Sequence, residues 1–240
     1  MTAKSTPWFY AFGKATANNF PRGVTCLYSF AEATSITVQG LTAYTMLKVA
    51  ARLQLHESIL IQAAAGGVGV FLVQLAKILG AGQIIALASS PAKLNLVKDL
   101  GADVAISYTE AGWPDRVREA TGGRGVDIVL EAVSGEIGDE CFRLAAPFGR
   151  VVFFGAKNIH DTLFSDKIQQ LIRKNQSVIG FNLPTLRPEQ IAEHVPGLLA
   201  LVAEGRIKLI AQNAFALGEV RKAFEALSSR NTVGKVVLVP

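Results

Sequence analysis

From residue 58 onward, short apolar runs alternate with stretches whose apolar residues recur at helical spacing. Residues 59–62, 83–88, 104–107, 126–130, 149–154 and 177–181 predict six short strands, as in a buried parallel sheet. Between them, 68–79 predicts a helix with Val68, Phe71, Leu72, Leu75, Ile78 and Leu79 on one face. Further helices are expected from Ser90 to Gly101, over 114–121 ending at Gly122-Gly123, over about 136–145 and over 165–174. Strand–helix alternation of this length implies a doubly wound parallel α/β sheet, the Rossmann arrangement, with strand order 3-2-1-4-5-6. A ligand then belongs at the carboxyl ends of the strands, where the order reverses between strands 1 and 4. The ends of the chain read differently. Residues 188–204 predict a long helix stopped by Gly205, 208–210 a strand, 217–227 a helix and 235–239 a last strand, while residues 1–35 show no strong periodicity.

Ala63-Ala64-Ala65-Gly66-Gly67-Val68-Gly69 joins the first strand to the first helix of this series. A dinucleotide site needs a tight turn, a close backbone approach to a pyrophosphate, and the free N–H groups and positive end of a helix. Side chains would block that approach. The pattern here is Ala64-x-Gly66-x-x-Gly69, with alanine in place of the first glycine, and a plain strand-to-helix turn is the alternative reading. An NAD site would place Asp or Glu at the end of the second strand to hold the ribose 2′-hydroxyl. This strand ends Ala88-Ser89-Ser90, with Lys93 one turn into the next helix and Tyr108 just past the third strand. Two hydroxyls and an ammonium suit a 2′-phosphate, so NADP is expected. The alternative is a Ser90 that only caps its helix and a solvated Lys93.

The composition is compatible with this. Half of the 240 residues are hydrophobic and 18% are charged, which suits a buried sheet and excludes a disordered chain. No apolar run is long enough to span a membrane, and residues 1–10 hold no apolar core of a signal peptide, so a cytoplasmic protein is expected. Cys26 and Cys141 fit neither a disulfide framework nor a zinc pattern. The formal net charge of +5 is spread without a basic block or basic–aromatic interleaving, which argues against nucleic-acid binding. His56, His160 and His194 are isolated in sequence and are not expected to bind metal.

Several separate segments carry a family resemblance. They are Val38 to Tyr44, Ala63 to Gly69, Ser89-Ser90 with Lys93, Leu100-Gly101-Ala102-Asp103, Ile106-Ser107-Tyr108, Gly122 to Asp127, Gly149-Arg150-Val151-Val152 and Gly234 to Leu238. Together they resemble the zinc-independent quinone oxidoreductases of the medium-chain dehydrogenase/reductase superfamily, the group that includes zeta-crystallin. The ending and Gly180-Phe181-Asn182-Leu183 are similar to its VAT-1-like branch. The resemblance covers residues 21–240 and implies a cofactor domain over 36–185, with 186–240 returning to a reduced remnant of a second, GroES-like domain and 1–35 as an N-terminal segment. It implies that Thr42 contacts the nicotinamide amide, that Ala65, Gly66, Gly67, Val68 and Gly69 surround the pyrophosphate, and that Ser89, Ser90, Lys93 and Tyr108 hold the 2′-phosphate. Val133, Phe154 and Gly155 would line the nicotinamide ribose region, with Phe181, Asn182 and Asn231 completing the cleft; core packing is the alternative for the apolar ones.

Two departures from zinc-dependent relatives and from full-length members stand out. Val38 occupies the position of a ligand cysteine, so no metal is expected, and most of the GroES-like domain that walls the substrate cleft is missing from this sequence. The resemblance implies an NADPH-dependent reductase of quinones or activated alkenes, in which the cofactor carries the chemistry. Tyr44 is the one proton-donor candidate the motif offers, with a structural role as its alternative. A non-catalytic NADP(H)-binding module and an enoyl-thioester reductase domain of a larger synthase are the competing readings. The sixth strand is expected at a sheet edge, where pairing with a second copy would make a homodimer.

Overall fold

The computed structural model describes residues 28–155 and 165–240. Contacts group them into two compact units, one containing 46–65 and 72–181, the other 28–45, 66–71 and 182–240.

The larger unit is built on a six-stranded, all-parallel sheet: β1 (Ser58–Ile61), β2 (Gln83–Ala88), β3 (Val104–Ser107), β4 (Val126–Glu131), β5 (Ala145–Phe153) and β6 (Ser177–Gly180). The order is β3-β2-β1-β4-β5-β6, as the alternation predicts. Every residue of β1 is buried, because β2 and β4 flank it and helices cover both faces. The crossovers from β1 to β3 and from β4 to β6 run outward in opposite directions. A right-handed connection therefore puts their helices on opposite faces and opens a crevice at the carboxyl ends of β1 and β4. Helix α3 (Gly69–Ile78) follows β1 and α4 (Pro91–Asp99) follows β2, the latter packing on β2 and β3. Helices α5 (Trp113–Ala120), α6 (Gly135–Arg143) and α7 (Ser165–Lys174) follow β3, β4 and β5. Trp113 and Val117 of α5, and Cys141 and Phe142 of α6, form one core with Leu60, Ile85, Leu87, Val129 and Val151 of the sheet.

The smaller unit holds a helical run that begins at a capping box. The Ser29 hydroxyl accepts from the Glu32 N–H at 3.2 Å, and the Glu32 carboxylate accepts from the Ser29 N–H at 2.8 Å. Helix α1 (Phe30–Ser35) thus starts within the region that shows no periodicity in sequence. It continues through a π-helical turn, Ile36–Gly40, into α2 (Leu41–Thr45), and the run extends as a second π-helical turn, Met46–Ala50, in the larger unit. Helix α8 (Pro188–Ala203) buries Ile191, Val195, Leu198, Leu199 and Val202, and Tyr28 donates to the Val202 carbonyl at 3.0 Å. A second, two-stranded parallel sheet pairs β7 (Asn213–Ala216) with β8 (Val236–Val239), and α9 (Val220–Ser228) connects them after a 3₁₀ turn, Leu217–Glu219.

Two expectations are corrected. Residues 208–210 form no strand; the strand is Asn213–Ala216. Ile207 and Leu209 are buried, which creates the alternating pattern, but this stretch makes a single ladder-like contact, from the Lys235 N–H to the Ile210 carbonyl at 2.9 Å. The fifth strand also starts four residues earlier than its apolar run, at Ala145, with a register irregularity against β4 between Val126 and Ile128. Cys26 and His160 lie outside the described residues, as does most of the segment 1–35.

At the amino ends of β1 and β4, Asp127 accepts from the Ser58 N–H at 2.8 Å and the Ser58 hydroxyl at 2.7 Å, and binds Arg124 through both oxygens at 2.7 and 2.9 Å. Burial pushes the Asp127 carboxyl up, but the Arg124 and Ser58 hydrogen bonds outweigh it and hold the group at about 2. A carboxyl depressed in the folded state stabilises the fold above its unfolded value near 3.8 and loses that contribution as the pH falls toward about 2. After allowance for solvent screening the contribution is about 1–2 kcal/mol. Asp127→Asn is therefore expected to lose about that much stability in urea at pH 7. It should also lack the corresponding part of the wild-type decline between about pH 4 and pH 2; an unchanged acid limb would contradict the assignment.

Candidate functional site

The chain leaves β1 at Ile61 and turns through residues 62–68 into α3. Ala63 takes a positive φ of 47°, and the Ala64 N–H donates to the Leu87 carbonyl at 3.1 Å, which ties the start of the turn to β2. Ala64 and Ala65 are buried. In the smaller unit, Gly66 bridges to Gly234, and Gln39 covers Gly67. A Cβ on Gly67 would lie 3.1 Å from Gln39 Cγ and 3.4 Å from the Gly234 carbonyl oxygen. The three glycines of the Gly66 to Gly69 turn open a ten-residue helix, and in its first turn the Val70 and Phe71 N–H groups donate to the Gly66 and Val68 carbonyls at 3.0 and 3.1 Å. This is a cradle of the kind an anionic pyrophosphate fits.

At the end of β2, Ser89 and Ser90 are half-buried. Ser90 occupies the N-cap backbone position of α4, and the Leu94 N–H donates to its carbonyl at 2.9 Å. Its hydroxyl makes no capping bond, so a purely capping role does not account for the side chain. Lys93 is also half-buried, and that burial lowers its ammonium below the ordinary lysine value. Tyr108 follows β3, its N–H donating to the Ala88 carbonyl at 3.2 Å, which places it beside the end of β2. Its side chain also borders a cavity of about 590 Å³ with Trp113 and Ile137.

The end of β4 holds two polar side chains that no sequence motif singles out. Glu131, the last residue of β4, is fully buried. Its Oε1 accepts from the N–H of Val133 at 2.9 Å and of Ser134 at 2.6 Å. Gln62, the first residue beyond β1, is 1% exposed, and its Oε1 accepts from the N–H of Ala132 at 3.0 Å and of Val133 at 3.1 Å. Phe154 is buried, and its N–H donates to the Glu131 carbonyl at 2.9 Å; Gly155 follows at φ 89°. The Cys141 thiol lies against the Gln62 amide. Burial pushes it far above an ordinary thiol, so it is a packed group rather than a nucleophile. Phe181 is half-buried past β6, its N–H on the Phe153 carbonyl at 2.9 Å. Val133, Phe154, Gly155 and Phe181 thus cluster at the carboxyl ends of β4, β5 and β6.

In the smaller unit, Thr42 is half-buried on α2, Asn182 is exposed before the 3₁₀ turn Leu183–Thr185, and Asn231 is exposed beyond α9. Tyr44 is 8% exposed, and its ring meets that of His194 edge-on at 6.1 Å. Gly197 of α8 leaves room for it; a Cβ there would stand 2.5 Å from the Tyr44 hydroxyl. This is the setting of a packed side chain between α2 and α8. His56 is exposed on a loop. Among the described residues, no group of three or more His, Cys, Asp or Glu is placed to hold a metal ion, and no helix is long and apolar enough to cross a membrane.

The zinc-binding dehydrogenase family profile matches residues 67–204. The chain is 36% identical to a quinone oxidoreductase of Thermus thermophilus, whose structure was determined free and in complex with NADPH. That superposition has a TM-score of 0.77 and covers 92% of this chain and 69% of that one. The chain belongs to the quinone oxidoreductase family of medium-chain dehydrogenases/reductases. It is also 33% identical to the synaptic vesicle membrane protein VAT-1 of Tetronarce californica, over 86% of this chain and 58% of that protein. To the spectinabilin polyketide synthase system protein NorB of Streptomyces orinoci it is 37% identical, over 88% of this chain and 9% of that protein. The chain therefore spans a little over half the length of VAT-1 and matches one segment of a large synthase.

Gly138 of α6 tests the geometry at the end of β4. A Cβ at this position would sit 2.9 Å from Glu131 Oε1, so the carboxylate would have to move. Alanine is the better helix former by about 1 kcal/mol; Gly138→Ala is nevertheless expected to destabilise the protein by about 1 kcal/mol net in urea unfolding, because the clash outweighs the propensity. Gly218→Ala, where a Cβ meets nothing within 4 Å, serves as the neutral comparison.

Proposed function

We propose that this family member is an NADPH-dependent, metal-free oxidoreductase that reduces a quinone or an activated alkene. The observation that carries the cofactor choice is the end of β2. No carboxylate stands there to meet a ribose 2′-hydroxyl, whereas the Ser90 hydroxyl is not spent on its helix and Lys93 sits one turn on, its charge partly desolvated. A 2′-phosphate beside these groups would offset the cost of that desolvation. Ser89 and Tyr108 flank the same strand ends. Ala65, Gly66, Gly67, Val68 and Gly69 would take the pyrophosphate, and Thr42, Val133, Phe154, Gly155, Phe181, Asn182 and Asn231 the nicotinamide end. When bound, NADPH supplies a hydride to an electron-poor carbon. The protein's own part is to bind and orient, and a substrate already polarised by its carbonyl groups needs no Lewis acid. Solvent supplies the proton in this reading, since Tyr44 is occupied in packing against α8.

The similarity to a polyketide synthase protein favours one second reading, an enoyl thioester as the activated alkene. Consumption of NADPH with a crotonyl thioester but not with a simple quinone would select it. Binding of NADPH with turnover of neither would leave a non-catalytic nucleotide-binding module.

NADPH should bind more tightly than NADH, and Lys93→Ala should reduce the difference by about 10- to 150-fold, the worth of a charge-assisted contact of roughly 1.5–3 kcal/mol. Fluorescence titration of both nucleotides measures this; equal affinities in the wild type would refute the 2′-phosphate site. We further propose a cytoplasmic homodimer that pairs through β6, the outermost strand, whose Val178 and Ile179 are only half-buried beside exposed Ile168 and Ile172 of α7. Light scattering should give twice the chain mass, and a monomer at micromolar concentration would refute the pairing.

A further inference from the structure

We propose that Glu131 and Gln62 act together as a clamp that sets the β4–α6 turn, residues 132–134, in the conformation that presents Val133 to the cofactor, so that both are positioning residues for nucleotide binding. The inference rests on the NADP(H) reading above. Three independent observations converge on it.

The first is place. Gln62 and Glu131 stand at the carboxyl ends of β1 and β4, the two strands between which the sheet reverses its order, and the Gln62 N–H donates to the Leu130 carbonyl at 3.2 Å. A ligand of such a sheet lies directly beyond this point. The second is the use of the polar atoms. The N–H groups of Ala132, Val133 and Ser134 are all taken by these two side chains, and Val133 is bound by both. Burying a whole carboxyl group to hold a three-residue turn is a poor way to gain stability, because a buried polar group costs free energy unless it is satisfied. Among the described residues Glu131 Oε2 has no hydrogen-bond partner, so half of the carboxylate is left uncompensated. The third is strain. Ser134, with φ 62° and ψ −173°, occupies a region of backbone space that belongs to glycine, and its side chain is 5% exposed. The Glu131 bond to its N–H, at 2.6 Å, is what holds it there. Gly138 lacks the side chain that would displace the same oxygen. Stability alone would favour Gly at 134 and an apolar residue at 131. The combination is accounted for if the turn must keep one shape.

The test uses the whole chain, NADPH fluorescence titration and amide hydrogen exchange. Glu131→Gln keeps an oxygen for the two N–H groups and should bind NADPH within about three-fold of the wild type, whereas Glu131→Ala leaves both donors without an acceptor and should weaken binding by about ten-fold or more. Equal losses in the two variants, or wild-type affinity in Glu131→Ala, would overturn the clamp. Should Glu131→Ala not fold, the wild type alone decides. The Val133 and Ser134 amides should exchange slowly before any nucleotide is added; fast exchange that slows only with NADPH would show that the nucleotide, not the clamp, shapes the turn. A wild type that exchanges slowly at both amides yet binds no NADPH would overturn the cofactor reading and, with it, the purpose assigned to the clamp, a pattern distinct from failure of the clamp alone.

Discussion

The seam between β1 and β4 governs the larger unit. Both strands are buried, both run in the same direction, and the crossovers that leave them diverge to opposite faces. Nothing covers their carboxyl ends from within the sheet, so the chain must turn there with its backbone polar groups satisfied by local means. The β1 side solves this with small residues and a helix N-terminus. The β4 side solves it with two buried polar side chains, Gln62 and Glu131, in place of regular secondary structure. Every residue proposed for the cofactor within this unit, apart from Lys93 in the first turn of α4, lies where the chain leaves these strand ends or those of β2, β3, β5 and β6.

The two ends of the strands treat their polar groups differently. Asp127, Ser58 and Arg124 tie β1 to β4 at the amino ends, far along the strands from the glycine turn. Their loss should weaken the fold without altering nucleotide preference. At the carboxyl ends the chain accepts arrangements that stability would not select: a serine in glycine's backbone region, a carboxylate with an oxygen left over, a lysine partly withdrawn from water. Such local conflicts concentrate where function constrains the chain.

Relatives with very different names share this framework. A quinone oxidoreductase, a vesicle membrane protein and a polyketide synthase protein all align with most of this chain. That breadth follows from the chemistry. Where a bound cofactor supplies the hydride, the framework can stay constant while the surfaces that meet the substrate change.

Much of the fold was legible in the sequence because period and punctuation are local properties. Apolar runs such as Ile59-Leu60-Ile61, stopped by small residues and followed by the α3 pattern, announce a buried parallel strand, and six of them in alternation leave little choice of topology. The small-residue turn after β1 and the end of β2, with no carboxylate and with Ser89, Ser90 and Lys93, stand out in sequence for the same reason, since each is a short local pattern. The failures were non-local. Residues 208–210 read as a strand, with Leu209 buried there, yet the ladder partner of β8 is Asn213–Ala216. Gln62 and Glu131 read as the polar ends of two apolar strands far apart in the chain. Only the parallel pairing of β1 with β4 brings them to one turn, where burial removes water as a hydrogen-bond partner and leaves their side chains to bind the backbone. The contact of the Tyr44 ring with His194 is likewise non-local, since it comes from the packing of α2 on α8. The sequence by itself determined the strands of the six-stranded sheet to within a few residues and their order, because these depend on near neighbours. Tertiary structure decided which polar side chains are buried and what they hold, because that depends on which distant strands lie side by side.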